Sequence, residues 1–184
     1  WPEWRLRRIS SHIGKERIVA QEEKNRGVLV ICSHHLNLEL TACIFSQFAH
    51  GFGVYRPHSN PAYEFIQHRG RTRFGHQMID RKDVKSSIAG FKNSILHLRE
   101  GHPLGIFPAG EVSTYRDGKL VVDKPWEEVA IKLVKKAEVP VVPIYFHAKN
   151  SRLFYKLSKI SDTFRTAKLP SELLTQKRRV IKVR

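Results

Sequence analysis

The chain has 184 residues, 41% of them hydrophobic and 27% charged, with 33 lysines and arginines against 17 aspartates and glutamates. That length suits one domain with a substantial core, and the composition excludes a disordered or fibrous chain. The formal charge of +16 implies an anionic partner, whether nucleic acid, a phospholipid surface, a phosphorylated substrate or an acidic carrier protein.

Residues 1–24 carry Trp1, Trp4, Ile9 and Ile13 at near-helical spacing, interleaved with Arg5, Arg7 and Arg8. An amphipathic helix of that kind suits a membrane interface, and equally a helix packed on the core; the pattern leaves both open. No apolar run approaches the ~20 residues needed to span a bilayer, and no signal peptide is visible. The chain starts on Trp1 and ends on Val180-Ile181-Lys182-Val183-Arg184, a strand cut short. A C-terminally truncated fragment, with a membrane anchor outside it, is therefore expected.

The stretch Gly27 to Leu40, GVLVICSHHLNLEL, predicts a strand over 28–32, a polar corner at Ser33-His34-His35 and a helix from about 36 to 49. His34 and Glu39 are spaced H-x-x-x-x-E. Five residues of ideal helix would set them roughly 140° apart. They meet only if His34 lies in the turn and Glu39 reaches back from the first helical turn. That places a neutral imidazole at a helix N-terminus with a carboxylate to orient it, a general base and its orienter. By itself the spacing is common by chance. Cys32 and Cys43 lack C-x-x-C spacing and no H-x-x-x-H follows, so no metal site is expected.

Further along, His50 to Gly53 predicts a turn and Val54-Tyr55-Arg56 a short strand stopped by Pro57. His58 to Pro61 predicts another turn, opening a helix from Asn60-Pro61 through Gln67. A basic cluster, Arg69-Gly70-Arg71-Thr72-Arg73, precedes a strand at 77–80. A helix over about 82–100 closes at Gly101. Residues 104–107 form an apolar strand ending at Pro108-Ala109-Gly110-Glu111. A polar loop runs to Lys124, then a helix over 126–138 and a strand over 139–146. The alternation means an α/β fold, a mostly parallel central sheet flanked by helices, in a single domain over 1–184.

Three polar features follow strand ends: His34 with Glu39, Arg56 with Arg71, and Glu111. In open α/β sheets such loops converge on one pocket. The bland readings are a solvated basic face for Arg69, Arg71 and Arg73, and a helix start for Asp80-Arg81-Lys82-Asp83. His35 is expected to support the site rather than to react, and His58, His68, His76 and His97 to lie on the surface. Pro140 and Pro143 are expected to be structural.

The order of four blocks resembles the glycerolipid acyltransferase superfamily: His34 to Glu39, Val54-Tyr55-Arg56-Pro57, Phe107-Pro108-Ala109-Gly110-Glu111-Val112-Ser113, and Val139-Pro140-Val141-Val142-Pro143-Ile144. Residues 26–101, through GVYRPHSNPAYEFIQHRGRTR and MIDRKDVK, look like the lauroyl/myristoyl acyltransferases of lipid A synthesis. Residues 105–184, through FPAGEVST and VVPIYFHAKNSRLFYKLSKI, are more similar to the haemolysin-like and ornithine-lipid acyltransferases. Where lipid A enzymes carry an aspartate after the strand and proline, this chain has Ala109-Gly110-Glu111. The resemblance implies a glycerolipid-acyltransferase-like fold and transfer of an acyl group from an acyl carrier protein or coenzyme A thioester to a lipid hydroxyl or amine. A lipid A precursor is the leading acceptor, with a lysophospholipid or lyso-ornithine lipid as the alternative. His34 would take the acceptor's proton and Glu39 would hold the imidazole. Arg56 and Arg71 would clamp acceptor phosphate. Glu111 would orient an arginine or an acceptor group, and Gly110 would allow close backbone approach. With no G-x-S-x-G, direct transfer without an acyl-enzyme is expected. No cofactor beyond the acyl thioester is needed. The implied partners are acyl carrier protein, an anionic membrane surface and a phosphorylated lipid acceptor, at the cytoplasmic face of the bacterial inner membrane.

A basic nucleic-acid-binding module is the rival that the charge allows. The basic residues are spread along the chain and no helix-turn-helix or aromatic recognition motif is present, so no nucleic-acid partner is expected. An inactive scaffold binding anionic membranes is the other. For an enzyme using an unperturbed histidine base, activity should fall below about pH 6.5.

Overall fold

The computed structural model of the chain describes residues 3–47, 52–55, 57, 61–72, 77–78, 83–117, 120–175 and 180–184. Its centre is strand β2 (Val28–Cys32), in which Val28, Leu29 and Val30 are fully buried. A strand with helices on both faces needs an uninterrupted apolar run, and VLVIC is one. β2 pairs in parallel with β5 (Pro103–Ile106) on one side and β8 (Val141–Ile144) on the other. Outside β5 come β3 (Phe52–Tyr55) and β4 (Gln77–Met78), also parallel, giving the order β4-β3-β5-β2-β8.

The pleat sends alternate residues of β2 to opposite faces. Val28, Val30 and Cys32 meet Leu36, Leu40, Ile44 and Phe45, most of them from helix α3 (Leu38–Phe45), together with Ile9 and Ile18. Leu29 meets Leu98 of α5 (Val84–Arg99) and Leu133 and Ala137 of α6 (Glu128–Ala137). Side-chain caps start two of these helices. Asn37 accepts from the Leu40 N–H and Asp83 from those of Lys85 and Ser86. Beyond α5, Gly101 sits at φ +94°, the left-handed turn expected of it.

The α/β architecture agrees with the sequence, and several local expectations do not. Residues 1–24 are not one helix but α1 (Glu3–Ile9), β1 (Ser10–His12) and α2 (Glu16–Glu22). The Ser10 hydroxyl bonds back to the Leu6 carbonyl at 2.8 Å, and the next residues pair in parallel with β9 (Ile181–Val183). A partner 171 positions away, Ile181 against Ser10, leaves no trace in local periodicity. Helix α4 (Pro61–Thr72) runs past Gln67 and takes Arg69, Gly70 and Arg71 into its last turns. The expected polar loop before Lys124 contains an antiparallel hairpin, β6 (Thr114–Arg116) and β7 (Leu120–Val122). β8 is half the length expected for residues 139–146. Two helices without a counterpart in the sequence reading follow it, α7 (Arg152–Leu157) and α8 (Asp162–Thr175). Residues 48–51, 58–60 and 79–82 and Arg56 and Arg73 lie outside the described residues. Among those described, no helix is long and apolar enough to cross a membrane.

Two glycines give opposite expectations. A Cβ on Gly27 would lie 1.9 Å from the Leu98 carbonyl oxygen, whereas one on Gly70, exposed within α4, meets nothing within 4 Å. Gly27→Ala should therefore cost about 2–3 kcal/mol through forced backbone movement. Gly70→Ala should raise stability by about 1 kcal/mol. Urea unfolding of the two variants checks both signs.

Candidate active site

The carboxyl end of β2 turns through Ser33, His34 and His35 before α3 begins. His35 fixes the turn. Its Nε2 lies 2.6 Å from the Phe146 carbonyl oxygen, which only accepts, so Nε2 carries the proton. Its Nδ1 then accepts from the Ser33 hydroxyl at 2.5 Å. The His35 carbonyl in turn accepts from the Tyr155 hydroxyl at 2.6 Å and the Asn150 N–H at 3.1 Å. Both ring nitrogens and the carbonyl of this residue are used structurally.

His34 is held differently. Its N–H faces the Asp123 carboxylate at 3.2 and 3.3 Å, and its carbonyl accepts from the Ser113 N–H at 2.9 Å. The Ser113 hydroxyl donates to Asp123 as well, so one small network grips both peptide groups of His34 and leaves the ring out. The ring lies 4.9 Å from that of Phe107, and its buried Nδ1 has no hydrogen-bond partner among the described residues. Burial pushes the imidazole pKa down to about 4; Asp123 opposes this, while Arg71 and His35 add to it. At neutral pH the ring is an uncharged base.

Glu39 stands in the first turn of α3. Its Oε1 accepts from Arg71 Nη2 at 2.6 Å and Nε at 3.1 Å, and from Gln67 Nε2 at 3.4 Å. Arg71 is buried, with its guanidinium 4.5 Å from the centre of the Tyr55 ring. The tyrosine is held through its hydroxyl, 2.8 Å from His68 Nδ1. The lengthened α4 is what delivers Arg71: the turn beyond Gln67 places its guanidinium against Glu39. The carboxylate is thus oriented by an arginine, and no hydrogen bond joins it to Nδ1 of His34.

The other site expectations divide. Glu111 pairs with Lys124, both partly exposed. Gly110 occupies a turn at φ +63°, its N–H donating to the Phe107 carbonyl at 2.9 Å. Arg56 lies outside the described residues. Around His34, then, the structure gathers Phe107, Asp123 and Ser113, with Glu39 and Arg71 on the neighbouring wall of a narrow apolar crevice. That crevice, about 50 Å³, is lined by Leu38, Ala42, Phe45, Val54, Phe107 and Phe146, with the Glu39–Arg71 pair at its polar edge. A larger cavity of about 260 Å³ lies beside β8 and the β1–α2 turn and contains none of these groups. It is wide but has none of the chemistry, so the crevice is the candidate site.

Asp123 and Ser113 are the residues that sequence reasoning missed. Both fall in the segment expected to be a polar loop, and the contact spans 89 positions between His34 and Asp123. Ser113 is fully buried, and its place just after Phe107-Pro108 was the one available hint. Among the described residues no group of three His, Cys, Asp or Glu side chains could hold a metal ion. A half-buried neutral imidazole, clamped through its backbone beside an apolar crevice, is equipped to accept a proton from a hydroxyl or amine.

A family model described as bacterial lipid A biosynthesis acyltransferase matches residues 1–123. A lipid A biosynthesis lauroyltransferase of Escherichia coli (strain K12) is 41% identical over 92 residues, which cover 50% of this chain and 30% of that protein. A lipid A biosynthesis acyltransferase of Haemophilus influenzae is 33% identical over 93 residues, 50% of this chain and 29% of the relative. A lipid A biosynthesis palmitoleoyltransferase of E. coli K12 is 32% identical over 92 residues, again 50% of this chain and 30% of that protein. The matched stretch is thus under a third of each relative's length. With the family model covering well over half of its 184 residues, the chain belongs to the bacterial lipid A biosynthesis acyltransferase family.

Proposed function

We propose that the protein transfers a fatty acyl group from an acyl carrier protein or coenzyme A thioester to a hydroxyl or amine of a lipid A precursor, with His34 as general base. The observation that carries this is the neutral, half-buried His34 imidazole just past the end of β2, next to a crevice whose walls are apolar and whose edge is the Glu39–Arg71 pair. The acceptor oxygen or nitrogen attacks the thioester carbonyl while His34 takes its proton. The tetrahedral intermediate collapses, the C–S bond breaks, and His34 returns the proton to the departing thiolate. An ester or amide and a free thiol result. The proximal part of the acyl chain lies in the crevice. Arg71, with Nε and Nη2 on Glu39, offers its Nη1 and its charge to an acceptor phosphate, and Glu39 keeps the guanidinium in place. Asp123 opposes the imidazolium charge that forms during transfer. No cofactor takes part, and the reaction is placed at the cytoplasmic face of the bacterial inner membrane.

The test is turnover of labelled acyl-carrier protein, and separately acyl-coenzyme A, with a lipid A precursor as acceptor. Lysophospholipid and lyso-ornithine lipid are run alongside, because the family match ends at residue 123. His34→Ala should lose about 10²–10⁴-fold in kcat, the usual contribution of a positioned base. Glu39→Ala and Arg71→Ala should both fall, Arg71→Ala chiefly through a raised KM for the phosphorylated acceptor. Full activity in His34→Ala would end the proposal.

The pH dependence follows from burial. A base works when unprotonated, and His34 protonates only at about pH 4. The acid limb of kcat/KM should therefore lie well below the pH 6.5 expected of an unperturbed histidine. Asp123→Asn removes the charge that favours the imidazolium, so the limb should move lower still, with a reduced plateau as the His34 backbone loosens. Nuclear magnetic resonance titration of the labelled imidazole measures the same shift without turnover. An upward shift in Asp123→Asn would contradict this account.

A further inference from the structure

Helix α8 buries charge and exposes apolar surface. Its most deeply buried residues are polar, Glu172 fully and Arg165 nearly so, with Leu173 packed beside them against the core. Its outward residues are apolar, Phe164, Ala167, Pro170 and Leu174, spaced three, three and four apart. Phe164 is 59% and Leu174 54% exposed. The inner polarity is fully committed. Glu172 accepts from the Ser151 N–H and hydroxyl, both at 2.7 Å, and pairs with Lys168 at 3.3 Å. These contacts fix which side of α8 faces in, and so leave the apolar stripe facing out. In α7 and the turn after it, Leu153 and Ile160 are exposed too.

The charge around this stripe is one-sided. Residues 149–168 hold six cations (Lys149, Arg152, Lys156, Lys159, Arg165, Lys168) against one acid, Asp162. Arg152, Lys156 and Lys159 are exposed beside the apolar residues. The inner side of the same hairpin is bonded to the candidate site. Tyr155 donates to the His35 carbonyl, and the Leu169 carbonyl accepts from the Asn37 side chain at 3.0 Å at the start of α3. The hairpin therefore stands next to His34, at the carboxyl end of the sheet.

We infer that the outer face of the α7–α8 hairpin docks the protein on an anionic lipid bilayer. An acidic carrier protein would answer the cations. A bilayer answers both features: its phosphates meet Arg152, Lys156 and Lys159, and its acyl region takes Phe164 and Leu174, ten residues and so roughly 15 Å apart along the helix. This differs from the N-terminal surface that was one of the two readings left open by the sequence. There Leu6 and Ile9 turn into the core, leaving Trp4, against which Arg5 packs, and Ile13 outside. The inference deepens the proposed function by placing the lipid acceptor's membrane against the site, but it concerns binding and is tested without turnover.

The experiment is co-sedimentation of the 184-residue chain with phosphatidylglycerol/phosphatidylcholine vesicles and with phosphatidylcholine vesicles, at low and high salt. Binding should be confined to the anionic vesicles and weaken with salt. Phe164→Ser with Leu174→Ser should lower the partition coefficient at least tenfold. Lys156→Glu with Lys159→Glu should do the same at low salt. Thermal melts by circular dichroism show whether the variants stay folded. Should the serine pair unfold, Phe164→Leu with Leu174→Ala and the charge-reversal pair carry the test. Unchanged vesicle binding in folded variants would overturn the inference. So would equal binding to neutral vesicles, a dimer in sedimentation velocity that the serine variants dissolve, or loss of acyl carrier protein binding with vesicle binding intact. His34→Ala should bind vesicles as the parent does, so a failed reaction and a failed docking face give different results.

Discussion

The carboxyl end of the sheet depends on the hydrogen bonds of one residue that does no chemistry. His35 has a single permitted tautomer, because the Phe146 carbonyl can only accept and the Ser33 hydroxyl can donate to the remaining ring nitrogen. That ring ties β2 to the exit of β8. Its carbonyl receives Tyr155 and Asn150, which ties the same turn to α7. A buried peptide carbonyl with two donors is well satisfied, and because Asn150 gives its backbone N–H that bond would remain in a Tyr155→Phe variant. The direction in which His34 leaves the turn is set by these bonds, not by anything the His34 ring itself touches.

His34 shows how a backbone grip and a charge are supplied by one carboxylate. Asp123 takes the His34 N–H, and through Ser113 it is linked to the group that takes the His34 carbonyl. The ring is free to meet a substrate while its main chain is fixed. Burial outweighs Asp123 in the balance of charges, and the pKa falls to about 4. This has a consequence for folding. An unfolded chain protonates this histidine near pH 6.5, the folded one only near 4, so the unfolded state binds more protons in between and stability declines as pH falls through that window. A half-buried neutral base is kept at the expense of acid tolerance.

Much of the scaffold was legible because it obeys local rules. VLVIC can only be a buried strand, Asp83 and Gly101 punctuate α5, and the strand–helix alternation forces a parallel sheet. The position of His34 was legible for the same reason, with only Ser33 between it and the end of that apolar strand. What escaped is non-local. β1 forms because β9 lies beside it, and β6–β7 joins two three-residue segments, Thr114–Arg116 and Leu120–Val122, too short for a period to show. Asp123 and Ser113 look like solvent-facing loop residues until the hairpin folds them under His34. α8 was invisible for another reason: its outward face carries the apolar pattern that would ordinarily mark the core side.

The H-x-x-x-x-E spacing predicts a carboxylate reaching back to orient the imidazole, and the geometry gives that carboxylate a different neighbour. Glu39 lies on the first turn of α3, and α4 brings Arg71 to it with two donors on one oxygen. Arg71 is itself sandwiched against Tyr55, so the guanidinium is held by charge on one edge and by the ring on its face. In the proposed reaction the pair presents a fixed guanidinium to the acceptor: Glu39 occupies Nε and Nη2 and leaves Nη1 for a phosphate. The charge that answers an imidazolium on His34 comes from Asp123, which also holds its backbone. The spacing of His34 and Glu39 therefore sets the base and the anchor of the cation on one turn rather than joining them to each other.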